Sequence, residues 1–186
     1  MKAKDIFKDK NFINCLKKGT YDDNNNHIEI FNDEDEIVEE NIDKVIKIHC
    51  SKCWITNIEG IHIFKNLKKL SLFGNKLQEL PERILELNKL KRIWLAGAFD
   101  LNNLKQNPLE LLLILKQLEK NNVLHNKYYK YNKYKGYEEY NEYEEYDNLI
   151  YLKKEVYPIL DEKIKEEAKK VNDEINNELN KFSFFK

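Results

Sequence analysis

Residues 67 to 89 read LKKLSLFGNKLQELPERILELNK, and the fold prediction starts from this stretch. Its apolar positions first alternate at Leu70 and Leu72, as on a strand with one buried face. After Pro81 they recur at helical spacing instead. Asn75 lies between the two parts, where its side-chain amide can bond to backbone groups at a turn. We therefore expect a short strand followed by a helical or 3₁₀ return segment.

The pattern is repeated 23 residues later in the chain. The three positions Leu67, Leu70 and Leu72 correspond to Leu90, Ile93 and Leu95. Residues 67 to 77 follow the consensus L-x-x-L-x-L-x-x-N-x-L, which resembles the leucine-rich repeat superfamily. The continuation LPxxIxxLxxL resembles the bacterial and Ras-suppressor-like members of that superfamily.

The resemblance covers residues 42 to 106 and implies an α/β fold. The expected architecture is a short leucine-rich-repeat solenoid of about three coils with parallel strands, capped by a helical N-terminal part and a helical C-terminal part. The outer coils are degenerate, because Ser51 and Ala98 stand where the consensus has asparagine. The resemblance also implies protein recognition through the concave face of the strands.

Composition and periodicity divide the chain into five segments. In order, we expect an N-terminal cap with one helix ending near Gly19 and an acidic hairpin (1–41), leucine-rich repeats (42–106), a capping helix (107–126), a Tyr/Lys/Glu low-complexity segment (127–147) and a C-terminal amphipathic helix (148–186). Asn107 and Pro108 are typical of a helix start, since asparagine caps and proline fits the first turn.

The low-complexity segment includes YNKYKGYEEYNEYEEY, with tyrosine at every third position from 131 to 146. We interpret it as sequence expansion in an A/T-rich gene that forms an exposed linker or a loop of partial order. The alternative is that its carboxylates, interleaved with tyrosines, mimic the phosphates and bases of a nucleic acid. The residues of this acidic mimic are Glu138, Glu139, Glu142, Glu144 and Glu145.

The sequence indicates neither catalysis nor a metal. Its serines are Ser51, Ser71 and Ser183, and it contains no phosphate-binding glycine loop and no nucleophile elbow. Cys50 and Cys53 form one C-x-x-C, which is half of a zinc site, and we interpret them as small apolar residues of an irregular coil. We therefore expect a protein that is not an enzyme and that needs no metal or cofactor.

The predicted binding surface is the outward side of the strands. Alignment of the coils predicts one row of Lys47, Ser71 and Trp94, a second row of His49, Phe73 and Ala96, and flanking cations Lys69 and Arg92. An exposed pair of aromatic rings among cations has the composition of a binding hot spot. The alternative is that a flanking segment folds over this face and buries both rings.

Bulk properties predict a cytoplasmic protein. The N-terminus has no apolar stretch that could serve as a signal peptide, and no run approaches the roughly 18 apolar residues of a membrane span. Three cysteines, an odd number, favour free thiols in a reducing compartment. We expect no contact with membranes.

Three functions follow from these patterns. The first is a stoichiometric binder of another protein, an adaptor or an inhibitor. The second is an inhibitor of a nuclease or toxin, similar to immunity proteins or anti-CRISPR proteins, whose partner is a nucleic-acid-binding protein. The third, which ranks behind these, is direct binding of RNA or DNA, because residues 44 to 92 carry eleven cations and four carboxylates.

Overall fold

The computed structural model describes residues 1–124, 128–132, 136–140 and 151–183, and its side chains are described for 1–124 and 151–175. At its centre is a four-stranded sheet in the order β1-β2-β3-β4. These strands are β1 (Thr20–Tyr21), β2 (Lys47–His49), β3 (Lys69–Ser71) and β4 (Arg92–Trp94). β1 pairs antiparallel with β2, whereas β2, β3 and β4 are parallel.

This sheet corrects the predicted fold class. We expected a three-coil leucine-rich-repeat solenoid with parallel strands, but the structure has a small mixed sheet of four short strands with helices. The difference arises in the N-terminal part, which was expected to cap the end of the solenoid. Instead, residues after Gly19 reverse and pair with β2, so that the first strand of the sheet is antiparallel.

The strand and the return segment predicted within residues 67 to 89 are nevertheless present. β3 is followed by a 3₁₀ helix at Glu82–Glu86, and the chain then enters β4. Two further 3₁₀ helices lie at Ile61–Ile63 and Leu101–Asn103. Each parallel crossover is therefore made by a 3₁₀ segment rather than by an α-helix.

Two helices precede β1 in the sequence, one lies between β1 and β2, and two follow β4. They are α1 (Ala3–Ile6), α2 (Lys10–Leu16), α3 (Glu39–Ile42), α4 (Pro108–Lys120) and α5 (Tyr157–Ser183), with a π-helical turn at Leu152–Val156 before α5. Where the sequence predicts one helix before Gly19, the structure has two, because Asp9 caps the start of α2. Asn107 caps α4 as predicted, accepting from the amides of Leu109 and Glu110.

The tyrosine-rich segment is more regular than we expected. β5 (Tyr128–Asn132) and β6 (Gly136–Tyr140) form an antiparallel pair, with Tyr131 opposite Tyr137 and Lys130 opposite Glu138. The prediction of a loop is therefore wrong for β5 and β6, whereas that of an exposed linker stays a prediction. Residues 141–150, which include Glu142, Glu144 and Glu145, lie outside the described residues.

The hydrophobic core is built on the inward side of the sheet. Ile48, Leu70 and Ile93 are neighbours in the register of the parallel strands, and all three are fully buried. Burying each such side chain contributes roughly 1.5–3 kcal/mol.

Among the described residues, no helix has the length and apolar character needed to cross a membrane.

Candidate functional site

The aromatic pair predicted as a hot spot is buried. Trp94 is 8% exposed and Phe73 is 9% exposed, so the expectation of an exposed pair on the sheet is wrong. The Lys52 ammonium group lies 5.4 Å from the centre of the Phe73 ring. After α4 the chain returns along β4, where the amide of Ile93 donates to the Val123 carbonyl at 2.8 Å. In this part of the sheet, β4 is therefore paired on both sides.

The structure also corrects the predicted rows across the sheet. Lys47 lies beside Lys69, which in turn lies beside Arg92. The second row joins His49, Ser71 and Trp94. The predicted row of Lys47, Ser71 and Trp94 is therefore wrong, because β2 precedes β3 by 22 residues and not by the 24 that the alignment assumed.

An acidic segment of the same chain, which follows β1, contacts part of this row of cations. The Lys47 ammonium is buried and donates to the Asp23 carbonyl at 2.9 Å and to the Asn25 side-chain oxygen at 2.7 Å. The Asp23 carboxylate pairs with Lys68 at 2.9 Å, and this hydrogen bond is the main cause that lowers the pKa of Asp23. Burial, followed by repulsion from Lys47, lowers the pKa of Lys69.

The remaining two residues of the predicted surface have structural contacts. Ser71 is buried, and its hydroxyl lies 2.7 Å from the Ser51 hydroxyl. The His49 ring meets the Tyr21 ring edge-on at 5.6 Å between centres. Burial is the main cause that lowers the pKa of His49. Ser71 therefore links β3 to the loop after β2, whereas His49 packs against β1 within the sheet.

Among the residues whose side chains the structure describes, a different tryptophan is exposed, one that the sequence patterns did not indicate. Trp54 follows Cys53 in the loop after β2, and 70% of its surface is exposed. Its φ angle is +58°, a left-handed conformation that is uncommon for residues other than glycine and asparagine. We call residues 51–56 the Trp54 loop. Their apolar positions follow neither strand nor helical spacing, so periodicity does not predict the exposure of Trp54.

Side-chain hydrogen bonds hold the backbone of this loop on both sides of Trp54. The Asn75 side-chain oxygen accepts from the amide of Cys53 at 3.0 Å and from the amide of Ile55 at 3.1 Å. The Asn11 side chain donates to the Trp54 carbonyl at 3.0 Å. The prediction that Asn75 bonds to backbone groups at a turn is confirmed. The turn in question is the loop after β2, one strand earlier in the chain than Asn75.

Asp9 connects the Trp54 loop to α2. One carboxylate oxygen caps α2 by accepting from the amides of Asn11 and Phe12. The other accepts from the amide and hydroxyl of Thr56 and from the amide of Asn57. Burial alone would raise the pKa of Asp9, but the hydrogen bonds outweigh it and lower the pKa. The helix and the loop are therefore joined by one buried carboxylate.

All three cysteines lie near this loop. The Cys15 sulfur, at the end of α2, is 3.0 Å from the Cys53 sulfur. Cys50 is fully buried, in keeping with its interpretation as a small core residue. Among the described residues there is no group of three or more His, Cys, Asp or Glu side chains arranged to hold a metal ion.

Comparison with protein-family models and with curated proteins finds no match to this chain. The resemblance to the leucine-rich repeat superfamily therefore rests on the residues quoted from the sequence. The candidate site likewise rests on its own geometry: an exposed indole, a clamped loop and a pair of adjoining thiols.

Proposed function

We propose that this protein is a non-catalytic protein-binding module that acts stoichiometrically, as an adaptor or an inhibitor, and that it binds its partner through Trp54. The observation that carries the proposal is the exposure of the Trp54 ring on a loop that hydrogen bonds hold in place. Tryptophan is among the residues most enriched in binding hot spots.

The conformation of the loop supports a role beyond stability. A left-handed conformation costs roughly 1–2 kcal/mol for a residue with a side chain, and glycine avoids that cost. Lys52 has a φ angle of +56° and Trp54 one of +58°, so the loop contains two such residues. Strained backbone persists where the surrounding structure holds it, and it is concentrated at binding sites. Here it presents a large apolar ring to solvent.

The chemistry of the loop defines the partner. The indole requires an apolar pocket, and burying roughly 200 Å² of it contributes several kcal/mol at about 25 cal/mol per Å². Lys52, within the loop, and Lys76, beside it, are both exposed. The Lys76 amide donates to the Ile55 carbonyl at 2.9 Å. We therefore expect a protein whose apolar pocket has an acidic rim, since complementary charge at a rim speeds association.

Capture from the native host tests this proposal. Wild-type protein, Trp54→Ala and Leu113→Ala are immobilised, and the proteins that each retains from a cell lysate are quantified by mass spectrometry. Leu113 is the matched control, because it is 60% exposed and lies on α4. Wild type and Leu113→Ala should retain a common protein that Trp54→Ala loses. With that protein purified, Trp54→Ala should weaken binding by about 30-fold, or about 2 kcal/mol.

Other outcomes would point to the alternative functions. If the nuclease-inhibitor hypothesis is correct, neutralising Glu138, Glu139, Glu142, Glu144 and Glu145 together abolishes capture, and Trp54→Ala leaves it unchanged. If the protein binds RNA or DNA directly, a gel shift appears and weakens steeply between low and high salt. Either result would contradict binding through Trp54.

A further inference from the structure

Two cysteines from distant parts of the chain meet beside the Trp54 loop. The sulfur atoms of Cys15 and Cys53 are 3.0 Å apart although the residues are 38 positions apart. This distance is about 1 Å longer than the roughly 2.05 Å of a disulfide bond. Both side chains are partly exposed, and both line a cavity of about 350 Å³. A small-molecule oxidant can therefore reach them.

The meeting of the two thiols depends on a close approach between α2 and β2. A side-chain carbon added to Gly19 would lie 2.4 Å from the His49 carbonyl oxygen, so only glycine permits this packing. The His49 amide donates to the Gly19 carbonyl at 2.7 Å, and the Gly19 amide donates to the Cys15 carbonyl at 2.8 Å. Cys15 is thereby held at the end of β2, where Cys53 follows.

Cys53 is held equally well from the other side. Its amide donates to the buried Asn75 side chain at 3.0 Å. Asp9 connects the start of α2 to Thr56, three residues after Cys53. Because both partners are fixed by buried polar contacts, bond formation requires a shift of about 1 Å and no rearrangement of the fold.

We propose that Cys15 and Cys53 form a reversible intramolecular disulfide, and that this pair is a thiol oxidation site for low-molecular-weight disulfides such as oxidised glutathione. The site lies beside the Trp54 surface but is independent of it, because neither the chemistry nor its test requires a bound partner.

The surroundings assign Cys15 as the attacking group. A hydrogen bond from Cys50 is the main cause that lowers the pKa of Cys15, and one from Cys53 adds to it, although burial acts in the opposite direction. Burial raises the pKa of Cys53 to about 12. Lys18 and His49 line the same cavity. A thiolate is the nucleophile in thiol–disulfide exchange, so Cys15 should react first.

The exchange proceeds in two balanced steps. The Cys15 thiolate attacks one sulfur of oxidised glutathione, the glutathione S–S bond breaks, and one glutathione thiolate leaves with the electron pair. Cys53 then loses its proton to solvent, and its thiolate attacks the Cys15 sulfur and expels the second glutathione. The two cysteines are oxidised, and one glutathione disulfide is reduced to two glutathione thiols.

Peptide mapping of the intact 186-residue chain tests the proposal. Reduced protein is incubated with oxidised glutathione, quenched with acid, unfolded and alkylated, and then analysed by intact mass and by proteolytic peptides. We expect a mass lower by two hydrogens, a linked peptide joining Cys15 to Cys53, and alkylation at Cys50. The melting temperature of the oxidised protein should rise by roughly 10 °C, because the bond closes a long loop in the unfolded chain.

Three variants locate the chemistry. Cys50→Ala should still form the linked peptide, but more slowly, because it removes the hydrogen bond that lowers the pKa of Cys15. Cys53→Ser should stop at glutathione attached to Cys15, and Cys15→Ser should acquire glutathione at least about tenfold more slowly. A linked peptide containing Cys50, or stable glutathione on wild-type Cys15, would overturn the proposal, as would a folded protein that stays fully reduced. If a variant fails to fold, the wild-type peptide map still decides.

Discussion

Trp94 and Trp54 show the two ways in which this chain uses a tryptophan. Trp94 lies in β4 and is 8% exposed, whereas Trp54 lies in the loop after β2 and is 70% exposed. Strand periodicity predicts the side of the sheet from which Trp94 projects, but not whether other segments cover that side. For Trp54 the deciding contacts come from Asn11 and Asn75, which are far away in the sequence.

The largest expected difference between the two regions is in stability. Trp94→Ala removes a buried indole and leaves a cavity, so we expect the free energy of unfolding to fall by about 3–5 kcal/mol. Trp54→Ala removes an exposed ring and should change it by less than about 0.5 kcal/mol. Urea unfolding of both variants measures the contrast. Equal losses in the two variants would mean that the Trp54 ring is packed against the protein in solution.

The next effect concerns the contacts that hold the Trp54 loop. Asn75→Ala leaves two amides and the carbonyls of Cys50 and Leu72 without the partner that Asn75 provides. Buried polar groups without partners cost about 1–3 kcal/mol each, so we expect a loss of about 3 kcal/mol or more. Hydrogen exchange should show faster exchange at residues 53 and 55. Unchanged exchange at residues 53 and 55 would contradict the role of Asn75 in holding the Trp54 loop.

Asp9 should give a smaller effect that depends on pH. Both charged carboxylate oxygens of Asp9 accept hydrogen bonds. We therefore expect Asp9→Asn to lower the free energy of unfolding by about 2 kcal/mol at neutral pH. The lowered pKa of Asp9 means that its contribution is fully present above the unfolded pKa of about 3.9 and is lost as the pH falls through the folded pKa. Urea unfolding at pH 7 and pH 3 should therefore show the difference between wild type and Asp9→Asn shrinking in acid. A difference independent of pH would contradict this role.

Local parts of the fold could be predicted from the sequence. The spacing of Leu70 and Leu72 predicts a strand, and the Asn107–Pro108 pair predicts the start of α4, because these signals act over a few residues. The predicted fold class was wrong because it depends on how the N-terminal segment packs, and the predicted row of β2 was wrong because the degenerate first coil was aligned two residues off. The antiparallel strand β1 forms because Gly19 approaches His49, a contact across 30 residues.

The candidate site was less predictable for the same reason. The strand pattern predicted that Trp94 and Phe73 are exposed, but both are buried. The C-x-x-C motif directed attention to Cys50 and Cys53, but the thiol beside Cys53 belongs to α2, and no spacing rule relates residues 15 and 53. A tryptophan directly after such a motif, outside any periodic segment, was the one signal that could have indicated an exposed loop.

The smallest predicted effect separates the conformation of Trp54 from its ring. Glycine relieves the left-handed conformation at a φ angle of +58°, while alanine keeps it. Part of the gain is lost because glycine makes the unfolded chain more flexible. Trp54→Gly should therefore be more stable than Trp54→Ala by about 0.5–1 kcal/mol. Because both variants lack the indole ring, their affinity for the partner should fall equally. Urea unfolding measures the first comparison, and titration with the captured partner measures the second. If alanine is as stable as glycine at this position, the loop does not hold residue 54 left-handed in solution, and the argument from strain to binding fails.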